Sequence, residues 1–520
     1  MRKSSLTLLA TLLTTILVGS TAARAQCPDN DPLRNPYFGD LHVHSAYSFD
    51  SILFGVTAGP REAYDFAQGA PVALPPYDLA ETMQIRRPLD FAAVTDHAEF
   101  FGEGQICNVP GLPGYNSQVC QDYRDLVTAN FDSSTANPGD GILVFLQLVP
   151  ALLSANPMRN ENICGPGAVD CLPVSATVWT DIQAAAEEKN APCDFSTFHG
   201  WEWTANTSPQ AGGQAGLHRN VIFRNDSVPS TVVSYIEEPT VEGLWDSLVS
   251  TCIDGDPDCD VFTIPHNSNF SAGEMFSPFN SDDGTPLSAE DAAFRASIEP
   301  VVEIHQHKGS SECRPGSLSN DEQCGFESLD RVSPIGNPVP GMVVPPLSFV
   351  RNGLKEGLAQ ERSLGVNPFP LGIIGSTDGH NADPGATYEA DYGVDGHQGA
   401  NDWSAERILN IQNGSGIESN GGGLAVVWAR ENSRDELFDA IRRREVYGTS
   451  GTRPIVRTFA GNLPKNLCDD PDFVSEGYKN GVPMGGELGA VRGSSSPRIA
   501  VLATQDPGLP GEPGTLLQRI

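Results

Sequence analysis

Asp40-Leu41-His42-Val43-His44, read on through Ser48-Phe49-Asp50, is the stretch on which the fold turns. An apolar run ending in two histidines one residue apart describes a buried strand that brings two imidazoles to one point. Side chains at i and i+2 share a face of a strand, so His42 and His44 can bind one cation together. Such a pair also occurs incidentally, and the partners that decide the matter lie further along the chain.

At 520 residues the chain can bury a large core in one domain or two. Residues 1–25 stand apart. Arg2 and Lys3 precede the apolar run Leu6–Val18, and Ala23-Arg24-Ala25 forms an A-x-A cleavage pattern. This predicts a secretory signal peptide cut after Ala25; Gln26, standing before Cys27, argues against a lipoprotein. No later run reaches the ~18 apolar residues of a membrane span, so a soluble periplasmic or secreted protein is expected. The cysteines agree. Eleven are present, with close pairs at Cys107/Cys120, Cys164/Cys171, Cys252/Cys259 and Cys313/Cys324. These spacings do not match zinc ribbons and read as a disulfide framework. Cys27, Cys193 and Cys468 are left unassigned, and the odd count implies a free thiol or a partner beyond the chain. The net charge of −34 repels nucleic acid and anionic lipid, so neither is an expected partner. Acidity of this kind serves solubility or a salty environment unless cations hold some of the carboxylates together.

Short apolar runs alternate with helical patterns. Tyr37–Leu41, Asp90–Thr95, Phe195–Phe198, Asn220–Phe223, Val261–Ile264, Val301–Ile304, Leu371–Ile374 and Leu424–Trp428 read as covered strands. Helical periodicity marks Val178–Lys189, Val241–Cys252, Ala289–Ile298, Leu347–Arg362 and Arg434–Glu445, the last with Ser433 and Glu436 as a capping box. Strand-then-helix repetition predicts an α/β fold with a parallel sheet, and about eight strands suit a barrel. Gly102–Pro173 and Gly309–Pro346 read as insertions stapled by disulfides. Beyond Gly448, Pro, Gly and Ser become frequent, and Ile455–Phe459 and Ile499–Ala503 suggest a small β-rich appendage. The expected division is a signal peptide over 1–25, a catalytic barrel over 26–450 and an incomplete extension over 451–520.

Most of the ten histidines stand at or just beyond these strands: His97 after Thr95-Asp96, His199 in His-Gly-Trp-Glu202, His218 before Arg219-Asn220, His266 in Pro-His-Asn267, His305 and His307 after Glu303, and His380 in Thr377-Asp378-Gly-His. The carboxyl ends of barrel strands form one face, which carries the active site. Singly, a strand-end histidine is more often a hydrogen-bonded structural residue, Asp96 can cap a helix, and Glu202 can be a solvated rim residue. Repetition at one strand after another points to a metal centre. Six histidines with Asp50, Glu202 and Asp378 exceed one tetrahedral site. Mixed imidazole and carboxylate donors suit two or three ions of Zn, Mn or Fe, which suit hydrolysis of phosphate, sulfate or related esters. Neither a serine nucleophile elbow nor a phosphate-binding P-loop competes.

As an ordered set, Gly39-Asp-Leu-His-Val-His-Ser, Thr95-Asp-His-Ala-Glu-Phe, His199-Gly-Trp-Glu-Trp-Thr, His218-Arg-Asn-Val-Ile-Phe, Pro265-His-Asn, Gly375-Ser-Thr-Asp-Gly-His and Tyr447-Gly-Thr-Ser-Gly-Thr-Arg resemble the PHP (polymerase and histidinol phosphatase) superfamily. The likeness is closest to its exported domain-of-unknown-function family numbered 3604, and it covers nearly the whole mature chain. The resemblance implies a distorted TIM-like (β/α)7 barrel and up to three metals. It implies His42, His44, Glu202 and Asp378 around a first ion, with Glu202 bridging to a second held by His218 and His266. A third would take Asp50, His97 and His380; many PHP enzymes have a histidine in place of Asp50. The family pattern continues past Ile520, which reads as a fragment. It implies phosphoester hydrolysis with metal-bound hydroxide as nucleophile. Arg219, Lys308 and Asn267 are candidates to reach a substrate oxygen, and His305 or His199 to protonate the leaving group; structural roles stand beside each.

The leading expectation is therefore an exported hydrolase acting on a small anionic phosphate ester. A sulfatase is the nearest alternative, followed by an amidohydrolase and, from a different class, a non-catalytic metal or anion binder.

Overall fold

Among the described residues, fifteen strands form where the sequence alternates or runs apolar: β1 (Asn35–Asp40), β2 (Phe91–Ala93), β3 (Ser196–Trp203), β4 (Thr207–Ser208), β5 (Gly213–Gln214), β6 (Arg219–Phe223), β7 (Val261–Pro265), β8 (Val301–Gln306), β9 (Gly309–Ser310), β10 (Gly372–Gly375), β11 (Leu424–Ala429), β12 (Val446–Thr449), β13 (Ile455–Gly461), β14 (Gly481–Pro483) and β15 (Arg498–Thr504). They are seen in a computed structural model that describes residues 27–53, 56–73, 82–131, 156–208, 213–328, 344–387, 421–489 and 496–518. The expected signal peptide and parts of both expected insertions lie outside the described residues.

Seven strands make a curled half-barrel sheet in the order β12-β11-β1-β2-β3-β6-β7. The expectation of a parallel sheet needs correction. β1, β2 and β3 are parallel, but β6 runs antiparallel between β3 and β7, β11 pairs antiparallel with β1, and β12 pairs antiparallel with β11. Parallel pairing needs a crossover of a dozen or more residues, usually a helix. The chain from β3 to β6 holds no helix among its described residues, only the small hairpin β4–β5, and returns antiparallel. A second sheet, β10-β8-β9, stands beside the first, with β8 next to β7 and β10 next to β12. The β10–β12 approach is too close for side chains: a Cβ on Gly448 would fall 2.7 Å from the backbone N of Gly375.

One apolar cluster gathers Phe91, Phe198, Ile222, Phe262, Ile264, Val301, Ile374 and Val427 from seven strands with Leu41 from just beyond β1, closed below by Leu437, Phe438 and Ile441 of the helix Arg434–Arg442. Alternation turns the opposite face of β3 and β6 outward, where Trp201, Trp203, Val221 and Phe223 pack with Trp179 of the helix Cys171–Lys189. The Trp179 and Trp201 rings meet edge to face at 5.1 Å. That helix starts seven residues earlier than its periodicity suggests, at Cys171 of a disulfide. The expected capping box at Ser433 does not form: Glu436 is drawn to Arg430, and the Ser433 hydroxyl turns to Glu431.

All four close cysteine pairs are disulfides, and Cys27 joins Cys193 across 166 residues; Cys468 is free and exposed. Five disulfides indicate an oxidising compartment, periplasmic or extracellular. No helix of the described residues is long and apolar enough to cross a membrane. The last strands form the antiparallel sheet β14-β13-β15 under the helix Phe473–Asn480, with Phe459, Leu463 and Phe473 between them. Arg457 ties this sheet to the main body, stacking 3.5 Å over Trp428 and donating to Leu33 O at 2.7 Å.

Candidate metal centre

β3 delivers Glu202. Phe198, Gly200 and Glu202 share one face of the strand, so the carboxylate caps the apolar interior with only 1 % of its surface exposed. Because β6 runs antiparallel, its first residue pairs with the last of β3, Trp203 with Arg219. His218, which precedes β6, therefore arrives beside Glu202, and Pro265 opposite Arg219 brings His266 to the same place. His42 and His44 leave β1 after its last residue and are held by Val43, which bridges Gly379 and accepts from Thr95 N. Asp378 sits at φ 54°, a left-handed backbone that is uncommon outside glycine. Asn267, next to His266, is left-handed as well, at φ 57°. Strain of this kind clusters at functional sites.

Around Glu202 stand His218 Nδ1 at 2.8 Å, His42 Nε2 at 3.1 Å, His266 Nε2 at 3.2 Å, and His44 Nε2 and His97 Nδ1 at 3.3 Å. Asp378 Oδ1 lies 2.9 Å from His44 Nε2 and 3.1 Å from His42 Nε2. Asp50 Oδ2 lies 3.0 Å from His380 Nε2 and 3.1 Å from His97 Nε2. Among the sets of donor atoms close enough to share an ion are His42, His44, Glu202 and Asp378; Glu202, His218 and His266; His44, His97 and His380; and His42, His266 and Glu303. A further group, Glu103 with Cys164 and Cys171, is disqualified because its cysteines are bonded to each other.

The second nitrogen of each imidazole is spoken for. His42 Nδ1–H donates to Glu303 at 3.0 Å, His266 Nδ1–H to Ile264 O at 3.3 Å, His380 Nδ1–H to Asp378 O at 2.7 Å, and His218 Nε2–H to Asn206 Oδ1 at 2.9 Å. Thr204 gives its own proton to Glu202, so its oxygen accepts from His97 Nδ1–H at 2.6 Å. Ser48 likewise gives its proton to Asp96 and accepts from His44 Nδ1–H at 2.8 Å. These partners assign the tautomers. Six rings are anchored by one nitrogen and turn the other toward Glu202, Asp378 or Asp50. Metal-binding histidines are oriented in this way.

The protonation states fit a cation as well. Burial would raise Asp50, Glu202 and Asp378, but the neighbouring histidines, with Lys308 at Asp378, hold all three well below the usual carboxylate range. Burial keeps His266 and His380 below the ordinary histidine value and takes His218 down to about 4. In His42 and His97 burial is overcome by the surrounding carboxylates, which push His97 up to about 9 and His42 well above its usual value. Ionised carboxylates and neutral imidazoles are the ligand forms, and protons on His42 and His97 are what a divalent ion would displace.

The nine residues singled out as ligands thus converge. None of the three catalytic candidates does. His199 shares the outward face with Trp201 and binds Glu187 at 2.7 Å, while Arg219 turns outward to Glu299 at 2.7 Å. Each is separated from its ligand neighbour by an odd number of residues, which places it on the opposite side of the strand. His305 lies 2.9 Å from Glu327 instead of joining the cluster. The extra residue Ile304 is the cause: Ile374 pairs with Glu303 and Gly375 with His305, a bulge that resets the inward face of β8. Glu303 points inward before it, and Gln306 and Lys308 after it, both donating to Asp378 Oδ2. His307 is one of the strand-end histidines of the sequence, whereas Glu303, Ser48 and Thr204 carry no assigned role there. The signal for Glu303 was an acidic residue inside an apolar strand. His307 Nε2 lies 3.2 Å from Asp378 Oδ2. Asp96 caps no helix; it accepts from Ser45 and Ser48.

Residues 31–520 match the family model described as "Protein of unknown function (DUF3604)". The chain belongs to the DUF3604 family. Among curated proteins none matches this DUF3604 member. Among solved structures it is similar to a two-domain protein of Bacteroides vulgatus ATCC 8482 containing a predicted PHP-like metal-dependent phosphoesterase. That likeness covers 82 % of this chain and 67 % of the other at 13 % identity and a TM-score of 0.32.

Proposed function

We propose that the protein is an exported metal-dependent hydrolase of phosphate esters, with the distorted PHP barrel over 26–450 as its catalytic body and 451–520 as an extension. One observation carries the reading: six buried imidazoles, each fixed by an outer acceptor, turn their free nitrogens to Glu202, Asp378 and Asp50. A first ion would be held by His42, His44, Glu202 and Asp378, a second by Glu202, His218 and His266, and a third by Asp50, His97 and His380. Divalent ions such as Zn, Mn or Fe supply Lewis acidity, lower the pKa of water and offset the charge of a tetrahedral ester. The chain's own part is to keep the carboxylates ionised and the donors pre-oriented, so that little reorganisation remains for the reaction.

The test is elemental analysis of the purified protein beside a panel of aryl phosphate, phosphodiester and aryl sulfate esters. Two or more equivalents of transition metal and turnover of a phosphate ester are expected, both lost in His42→Ala/His44→Ala. Metal-free protein, or full turnover in that variant, would refute the proposal, and preference for the sulfate would turn it into a sulfatase.

A further inference from the structure

The two oxygens of Asp378 face different surroundings. Oδ1 looks to His42 and His44, the side on which an ion would be held. Oδ2 receives Gln306 Nε2 at 2.7 Å and the Lys308 ammonium. Ligation through Oδ1 therefore leaves Lys308 its seat. That seat is built by the chain: His307 and Lys308 are the two-residue tip of the hairpin β8–β9, turned by Gly309 at φ 93°.

An ammonium has three N–H donors. Among the described residues Asp378 Oδ2 is the one partner of Lys308 Nζ, and the side chain is 29 % exposed. Two donors are thus open at the mouth of the cluster. Asn267 adds to them. Its Oδ1 accepts from the same Gln306 amide that binds Asp378, so its Nδ2 faces away from that contact, and no described acceptor takes it. Among the described residues, Lys308 is also the lysine or arginine found paired with a carboxylate of the cluster. Open donors carrying a fixed positive charge, beside carboxylates that hold cations, form a receptor for an anion.

We infer that Lys308 and Asn267 form an anion seat that takes a non-bridging oxygen of the tetrahedral ester. The inference rests on the proposed hydrolase reading and deepens it, because it requires a charged ester over a neutral one. The seat stands on the opposite oxygen of Asp378 from His42 and His44, on the side that His307 Nε2 also approaches at 3.2 Å, so emptying it should spare the ligand set.

The experiment is calorimetric titration of the purified metal-loaded protein with inorganic phosphate. Wild type is compared with Lys308→Met, Lys308→Arg and Asn267→Gly, the glycine keeping the left-handed backbone without strain. Metal content is measured on each. Phosphate Kd is expected to rise about 10- to 100-fold in Lys308→Met, to recover partly in Lys308→Arg and to rise less in Asn267→Gly, all at unchanged metal content. KM for an aryl phosphate should rise with Kd. An unchanged Kd in Lys308→Met, loss of metal in that variant, or absence of phosphate binding by metal-loaded wild type would each overturn the seat. Absence of metal from wild type would instead overturn the hydrolase reading itself.

Discussion

Replacing Ser48 by alanine removes one oxygen and three hydrogen bonds. The hydroxyl donates to Asp96 Oδ1 at 2.8 Å and accepts from His44 Nδ1–H at 2.8 Å and His97 N–H at 3.0 Å, and the residue is fully buried. Asp96 keeps two donors, Ser45 N at 2.6 Å and Ser45 Oγ at 2.7 Å, so its charge stays satisfied. The two N–H groups are left with nothing, and each buried orphan costs about 1–3 kcal/mol. A loss of stability of about 2–6 kcal/mol follows on the same basis. The effect on metal is separate. Freed from Ser48, the His44 ring no longer has its proton held on Nδ1, and loss of such an outer partner weakens metal about 10- to 100-fold, which is about 1.4–2.7 kcal/mol. The assay is denaturant unfolding of metal-free protein together with competition against a chelator of known affinity. Ser45→Ala is the control, because it shortens the support of Asp96 without touching an imidazole. Loss of stability in Ser48→Ala with unchanged metal affinity would refute the argument that Asp96 and Ser48 set the tautomer of His44.

Two further outcomes follow from features away from the cluster. Removing Cys27–Cys193 with a double alanine variant releases a loop of 166-residue separation and should cost about 5 kcal/mol of stability on chain entropy. Removing Cys164–Cys171, separation 7, should cost about 2.5 kcal/mol on the same basis, and equal losses in denaturant midpoints would contradict the loop-length account. Glu187 is held down at about 2, chiefly by its hydrogen bonds from His199 and Arg434. A carboxylate depressed on folding stabilises above its unfolded value of about 4.3 and loses that contribution as pH falls toward its folded one. Denaturant midpoints should therefore drop more for wild type than for Glu187→Gln between pH 5 and 3; parallel curves would show that the carboxylate adds nothing.

How far the site was legible varies from residue to residue. His42, His44, His97, His266 and His380 announce themselves because imidazoles at the ends of apolar runs have few other uses in such numbers. His199 and His305 carry the same signal and mislead. His199 lies mid-strand in β3, where alternation sends it to the helix side, and the strand proved longer than its apolar core suggested. His305 is displaced by the bulge at Ile304, a backbone feature with no local signature. Asp50 joins His97 and His380 through space, and Lys308 and Gln306 reach Asp378 only because the bulge resets the face of β8.

By itself the sequence determined the strands, the close disulfides and most of the residues that gather around Glu202, because these depend on residues a few positions apart: periodicity, short loops and repeated chemistry at strand ends. Strand direction, the long Cys27–Cys193 link and the face each residue presents were decided only by tertiary structure, since they arise from pairing between distant segments. The antiparallel insertion of β6 between β3 and β7 is the clearest case. No residue of β6 states its direction, yet that direction alone brings His218 to Glu202 and leaves Arg219 outside.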